Sequence, residues 1–166
     1  MTKYYLRHSQ VIPGPLEDIF LFFSNPRNLA RLTPPWVGFK IIECPDGDVE
    51  KGSRIRYRIK LFFVPMYWET LINDCTVGVS FVDSQVKGPY KSWVHSHFFS
   101  ESSGDTIMRD EVAYEMPFSI IGRIAHFLFI KRTLTKIFDY RRRAVEEIFS
   151  SRERLADASP ENIHQA

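Results

Sequence analysis

The residues best equipped for chemistry are two histidines one position apart, in Trp93-Val94-His95-Ser96-His97-Phe98-Phe99. On a strand, alternate side chains share a face, so both imidazoles point one way and Ser96 points the other. A Ser–His nucleophile pair is therefore not supported. An imidazole titrates near neutrality, so either histidine suits general acid or base work. Two imidazoles on one face also suit a metal ion, with Asp83 or Asp110 as third ligand. The usual further ligands have no recognisable spacing, and no metal and no cofactor are assigned. A polar cluster that orients a ligand is the remaining reading. The catalytic candidates are His95, His97 and Asp110, with no catalytic role assigned among them. Nucleotide and hydrolase signatures (GxGxxG, a phosphate loop, GxSxG) are missing, and neither Cys44 nor Cys75 stands beside a histidine. The two cysteines lie far apart without CxxC spacing, which argues against a zinc or disulfide framework and suits a reducing compartment.

These residues fall in a run of period-two segments rich in β-branched and aromatic residues: Gly38–Cys44, Arg54–Phe63, Met66–Asp74, Ser80–Lys87, Lys91–Ser100 and Thr106–Met116. Parity sorts their faces. Arg54, Arg56, Arg58 and Lys60 share the solvent side of their strand, which turns Tyr57 inward with Ile55, Ile59 and Leu61. Met66, Trp68, Thr70 and Ile72 form the apolar face of the next strand. Arg109, Glu111 and Glu115 face water, sending Met108, Asp110, Val112 and Tyr114 inside. The bulky set of Lys91–Ser100 is Trp93, His95, His97 and Phe99. Parity leaves Ser80–Lys87 open, with Phe81, Asp83 and Gln85 opposing Val82, Ser84 and Val86. The expected ligand-binding set is Tyr57, Trp68, Thr70, Asp83, Gln85, Trp93, His95, His97, Phe99, Met108, Asp110 and Tyr114. An inward Asp110 needs a partner, because an unpaired buried carboxylate costs several kcal/mol.

Around this run, Tyr4–Ile12 reads as a first strand. Prolines then mark two short helices, Leu16–Phe23 and Arg27–Leu32. From Ile120 to Phe149 apolar residues recur at three- and four-residue steps between charges, predicting a long amphipathic helix bent near its start. The expected organisation is one domain over residues 1–150 and a frayed tail over 151–166. The order β-α-α-β₆-α predicts an α+β fold: one curved antiparallel seven-stranded sheet with the C-terminal helix across its concave face. One helix cannot fill such a sheet, so a cavity is expected.

From Tyr4 to about Phe149 the sequence resembles the START-like, or SRPBCC, superfamily of helix-grip proteins, which includes lipid-transfer domains, pollen allergens and polyketide cyclase/dehydrases. The most specific stretches are Phe81-Val82-Asp83-Ser84-Gln85-Val86-Lys87-Gly88-Pro89-Tyr90 and Trp93 to Phe99, with Thr106-Ile107-Met108-Arg109-Asp110 and Ile137-Phe138-Asp139-Tyr140-Arg141 in support. They are similar to a bacterial ligand-binding subgroup, one occasionally joined to a sugar-nucleotide-epimerase-like domain; the stand-alone form is expected here. The resemblance implies a small hydrophobic, lipid- or polyketide-like ligand in the cavity. The alternative is a cyclase/dehydratase using His95 or His97 as acid/base.

A net charge of +2 over 166 residues argues against a nucleic-acid partner. The opening residues lack a secretory apolar stretch, and Phe118 to Ile130 is too short to span a bilayer, so a cytoplasmic location is expected. From Arg123 to Arg154, nine Lys and Arg stand against four Asp and Glu. A solvated helix face accounts for this, and so does a peripheral contact with anionic membrane, given the Phe and Ile of Phe118–Ile130. No oligomeric state is assigned. The aromatic content is high, 14% with 14 Phe, 7 Tyr and 3 Trp. The expectation is that these rings, those of Phe127, Phe129, Phe138 and Phe149 among them, line the cavity.

Overall fold

Alternating side chains on the strands and the 3–4 stripe on the last helix build the expected sandwich of sheet and helix. The computed structural model describes residues 2–61 and 64–157. Strand β1 (Lys3–Ile12) leads through the Pro13–Pro15 turn into α1 (Leu16–Ser24). Two 3₁₀ turns, Pro26–Ala30 and Pro35–Val37, follow, each begun by proline. Then come β2 (Lys40–Glu43), β3 (Arg54–Leu61), β4 (Val64–Thr76), β5 (Ser80–Lys87), β6 (Ser92–Ser102) and β7 (Asp105–Glu115). The chain closes with α2 (Ser119–Ala125), a π turn at His126–Ile130 and α3 (Lys131–Asp157).

All seven strands form one antiparallel sheet ordered β1-β7-β6-β5-β4-β3-β2. Register shifts between β4 and β5, at Glu69/Thr70 and Ile72/Asp74, bend it. Parity is as expected: Ile55, Ile59, Trp68, Thr70, Ile72, Trp93, His95, His97, Phe99, Met108, Asp110, Val112 and Tyr114 are all buried. Phe81 is buried too, which settles β5 with Phe81, Asp83 and Gln85 inward.

Apolar residues gather in separate clusters. At one end α1 packs Ile19, Phe20, Phe22 and Phe23 against Phe81, Phe99 and Met108 of the sheet and Val145 and Phe149 of α3. Toward the other end Leu134 and Phe138 of α3 meet Trp68, Trp93, Val112 and Tyr114. Between them the helix bridges the concavity without filling it.

Boundaries differ in two places. The second short helix is a 3₁₀ turn, since Pro26 opens it and Pro34 soon follows. The last helix does not stop at Phe149 but runs to Asp157, because Arg152, Glu153, Arg154, Leu155 and Ala156 are strong helix formers that need no apolar face. The strand end predicted at Phe62 and Phe63 and residues 158–166 of the expected tail lie outside the described residues.

Candidate functional site

Strand register assembles the polar residues. Asp83 of β5 pairs with His95 of β6, and His97 of β6 with Asp110 of β7. Directly opposed residues on one face of a sheet touch. His95 Nε2 hydrogen-bonds Asp110 Oδ1 at 3.2 Å. His97 Nδ1 lies 2.6 Å from the same oxygen, an ionic contact outside hydrogen-bond alignment. The other ring nitrogens face Asp83 Oδ2, His95 Nδ1 at 3.8 Å and His97 Nε2 at 3.5 Å. The two imidazole centroids are 3.9 Å apart.

Burial and charge pull these groups in different directions. Burial, aided by the neighbouring His97, lowers the His95 pKa. Burial opposes a charge on His97 also, but Asp110 and Asp83 outweigh it and raise that pKa. Asp110 is held well below the usual carboxylate range: burial works against this, and the Arg141 guanidinium and the two histidines overcome it. Burial pushes the phenols of Tyr57 and Tyr90 far up, so both remain neutral.

This cluster closes one end of a cavity of about 460 Å³. Of the expected site residues, Tyr57, Trp68, Thr70, Asp83, Trp93, His95 and His97 line it. Five do not. Asp110 sits behind the histidines. Phe99 is covered by the rings of Phe20 and Phe23, and Met108 belongs to the same core cluster, because α1 occupies that end of the concavity. Tyr114 turns to His126, its hydroxyl 2.9 Å from Nε2. Gln85 holds a turn: its amide nitrogen donates to the Tyr90 carbonyl at 2.7 Å and its oxygen accepts from the Tyr90 N–H at 3.2 Å. Gly88 leaves room for this clamp, since a Cβ there would lie 2.3 Å from Gln85 Oε1. The clamp presents the Tyr90 ring to the cavity beside Trp93, centroids 4.8 Å apart.

The aromatic surplus divides. Phe22, Phe23, Phe81 and Phe138 line the cavity, Phe149 is core, and Phe127 and Phe129 face outward.

The reading of the sequence missed Arg141, which lines the cavity, lies over the Phe23 ring at 5.5 Å and keeps a buried Nε without a hydrogen-bond partner. Its signal was position. The stripe Leu134, Phe138, Arg141, Val145, Phe149 steps by three and four, so Arg141 occupies a core-facing place that its neighbours Arg142 and Arg143 disguise. Among the described residues, the groups able to hold a metal are Asp83, His95 and His97, whose ligand atoms lie within 4.8 Å of one another.

Residues 12–136 match the family model described as polyketide cyclase / dehydrase and lipid transport. The chain belongs to that family. Solved structures agree on the fold of this polyketide cyclase/dehydrase member. The protein TTHA0849 from Thermus thermophilus superposes with TM-score 0.66 at 15% identity, over 94% of this chain and 100% of that one. A norcoclaurine synthase point mutant from Thalictrum, in complex with a transition-state analogue, gives 0.66 at 13% identity over 92% and 97%. A nucleoside-diphosphate sugar epimerase from Corynebacterium glutamicum gives 0.66 at 24% identity, over 93% of this chain and 32% of that one. No curated protein matches. The START/SRPBCC superfamily and the helix-grip fold expected from the sequence are thus borne out.

Proposed function

We propose that this family member binds, in the cytoplasm, a small hydrophobic or aromatic molecule, lipid- or polyketide-like, with an acidic oxygen-bearing head. The observation that carries this is the cavity's polarity: aromatic walls from Trp68, Tyr90 and Trp93 around most of its length, and Arg141 with the histidines at one end. Ligand pockets of several hundred Å³ are mostly apolar with a few polar groups that set orientation. Calorimetric titration with a long-chain carboxylic acid and its methyl ester tests it. The acid binds one per chain and at least about tenfold more tightly, the worth of one charged hydrogen bond. Equal affinity removes the head from the proposal, and no binding of either removes the ligand.

A second reading rests on the histidines' place in the cavity wall. His97, held by Asp110, is set to exchange a proton with a bound substrate, as a cyclase or dehydratase needs. A His97→Gln variant that keeps substrate affinity and loses turnover favours it; loss of affinity alone favours the carrier.

An anionic membrane is the proposed source of the ligand. Phe118, Ile121 and Phe127 are 80%, 72% and 81% exposed, far beyond scattered surface apolars. Arg123, Lys131 and Arg132 are exposed within the same stretch, supplying the charge an acidic lipid surface complements. The patch continues into the cavity through Met116 and Ile130. Flotation with phosphatidylserine vesicles, lost in Phe127→Glu and at high salt, is expected. A salt-insensitive dimer through this face, without flotation, would contradict it.

A further inference from the structure

The arrangement around Asp83 poses a problem in lone pairs. Asp110 takes Nε2 of His95 by hydrogen bond and lies 2.6 Å from Nδ1 of His97, so both of these nitrogens must carry protons. Neutral imidazoles then turn two bare lone pairs, His95 Nδ1 and His97 Nε2, toward the Asp83 carboxylate. Shifting a proton to His95 Nδ1 only moves the repulsion to Asp110. A second proton on His97 relieves one contact and leaves the other. Charging both imidazoles would set two like charges side by side in a buried site, with ring centroids 3.9 Å apart.

One divalent cation resolves all of this. We propose that His95 Nδ1, His97 Nε2 and Asp83 Oδ2 form a binding site for a first-row transition-metal ion such as Zn²⁺. Ligand atoms about 2.0–2.2 Å from a tetrahedral ion stand about 3.4 Å from each other. The observed 3.5 and 3.8 Å separations to Asp83 lie near this, and the third, between His95 Nδ1 and His97 Nε2, closes by ring rotation from within 4.8 Å. Asp110 supplies the acceptor behind the ligands that metal-bound histidines regularly have, fixing which nitrogen of each ring points forward. All three ligands line the cavity, so the fourth position opens on bound molecules, and an acidic head can fill it. The site shares the cavity of the proposed function but does not depend on any organic ligand. It does compete with the acid–base reading, because a nitrogen bound to metal has no lone pair for a proton.

The test uses the metal alone. Protein stripped with chelator and dialysed is titrated with Zn²⁺ by calorimetry and with Co²⁺ by visible absorption. Expected are one ion per chain and the intense bands of four- or five-coordinate, nitrogen-ligated cobalt. Zinc affinity falls at least about tenfold in Asp110→Asn, the effect of losing a histidine's supporting acceptor, and is abolished in His97→Gln. His126→Gln, outside the cluster, binds as wild type. No uptake by wild type, the pale spectrum of six-coordinate aquo cobalt, or equal affinity in Asp110→Asn overturns the site. The cobalt spectrum is read on wild type, so it decides the matter even if the variants fold poorly. Carboxylic-acid binding by the stripped protein would leave the ligand proposal standing while the metal site fails.

Discussion

Arg141 carries opposite duties toward stability and binding, and one substitution separates them. Its guanidinium is the foremost charge holding Asp110 ionised and the natural partner for an acidic ligand head. Arg141→Leu leaves Asp110 buried with less compensation and lowers the unfolding free energy. It also weakens binding of a carboxylic acid about ten- to hundredfold while leaving an ester untouched. Denaturant melts and calorimetry read the two effects independently. Phe99 is the converse. It stands on the same face as His97, yet it packs on Phe20 and Phe23. Phe99→Ala is expected to lose about 3–5 kcal/mol of stability with ligand affinity unchanged; a drop in affinity alone would return Phe99 to the cavity wall. Parity told which side chains face inward, because alternation is a local property of a strand. It could not tell cavity from core, because that depends on where α1 and α3 land. Hence parity brings all five inward, and the structure has Trp68 and His97 in the cavity wall and Phe99, Met108 and Tyr114 packed away from it.

The junction between α2 and α3 is where elements are joined most delicately. His126, buried at its π turn, stacks on Tyr4 with centroids 3.5 Å apart and shares a hydrogen bond with the Tyr114 hydroxyl. Burial pushes the Tyr114 phenol up to about 12, so it stays neutral. Burial and then Lys131 lower the His126 pKa from 6.5. Between that lowered value and 6.5 the unfolded state therefore binds more protons, and stability falls as pH drops through this window. Amide exchange in α2, corrected for intrinsic rates, should accelerate below pH 6.5 in wild type and lose that dependence in His126→Phe. An unchanged pH response in the variant would move the effect elsewhere. The bend itself was expected near the start of the helix. The latch was not, because it joins residues of β1, β7 and the π turn whose register no local pattern reveals. Gly122 has the same character: a Cβ there would lie 2.0 Å from the Pro117 carbonyl, a contact known only from the fold.

Across the whole molecule, strand count and order followed from periodicity and proline punctuation, and the sheet order β1-β7-β6-β5-β4-β3-β2 is what a meander closed by its first strand produces. The cavity was expected from one helix meeting a curved sheet. Its polar end was only half visible, since parity declared His95 and His97, left Asp83 open, and could not single out Arg141 among the arginines of α3. The proposed function requires this interior to be a binding site and not merely imperfect packing. Leu134 of α3 lines the cavity from the helix side. Native mass spectrometry of wild type and Leu134→Trp, each incubated with the same long-chain carboxylic acid, tests the claim most directly. A one-to-one complex is expected with wild type and none with the filled variant, whose thermal melt remains cooperative. Equal uptake by both proteins, or none by wild type, would contradict it.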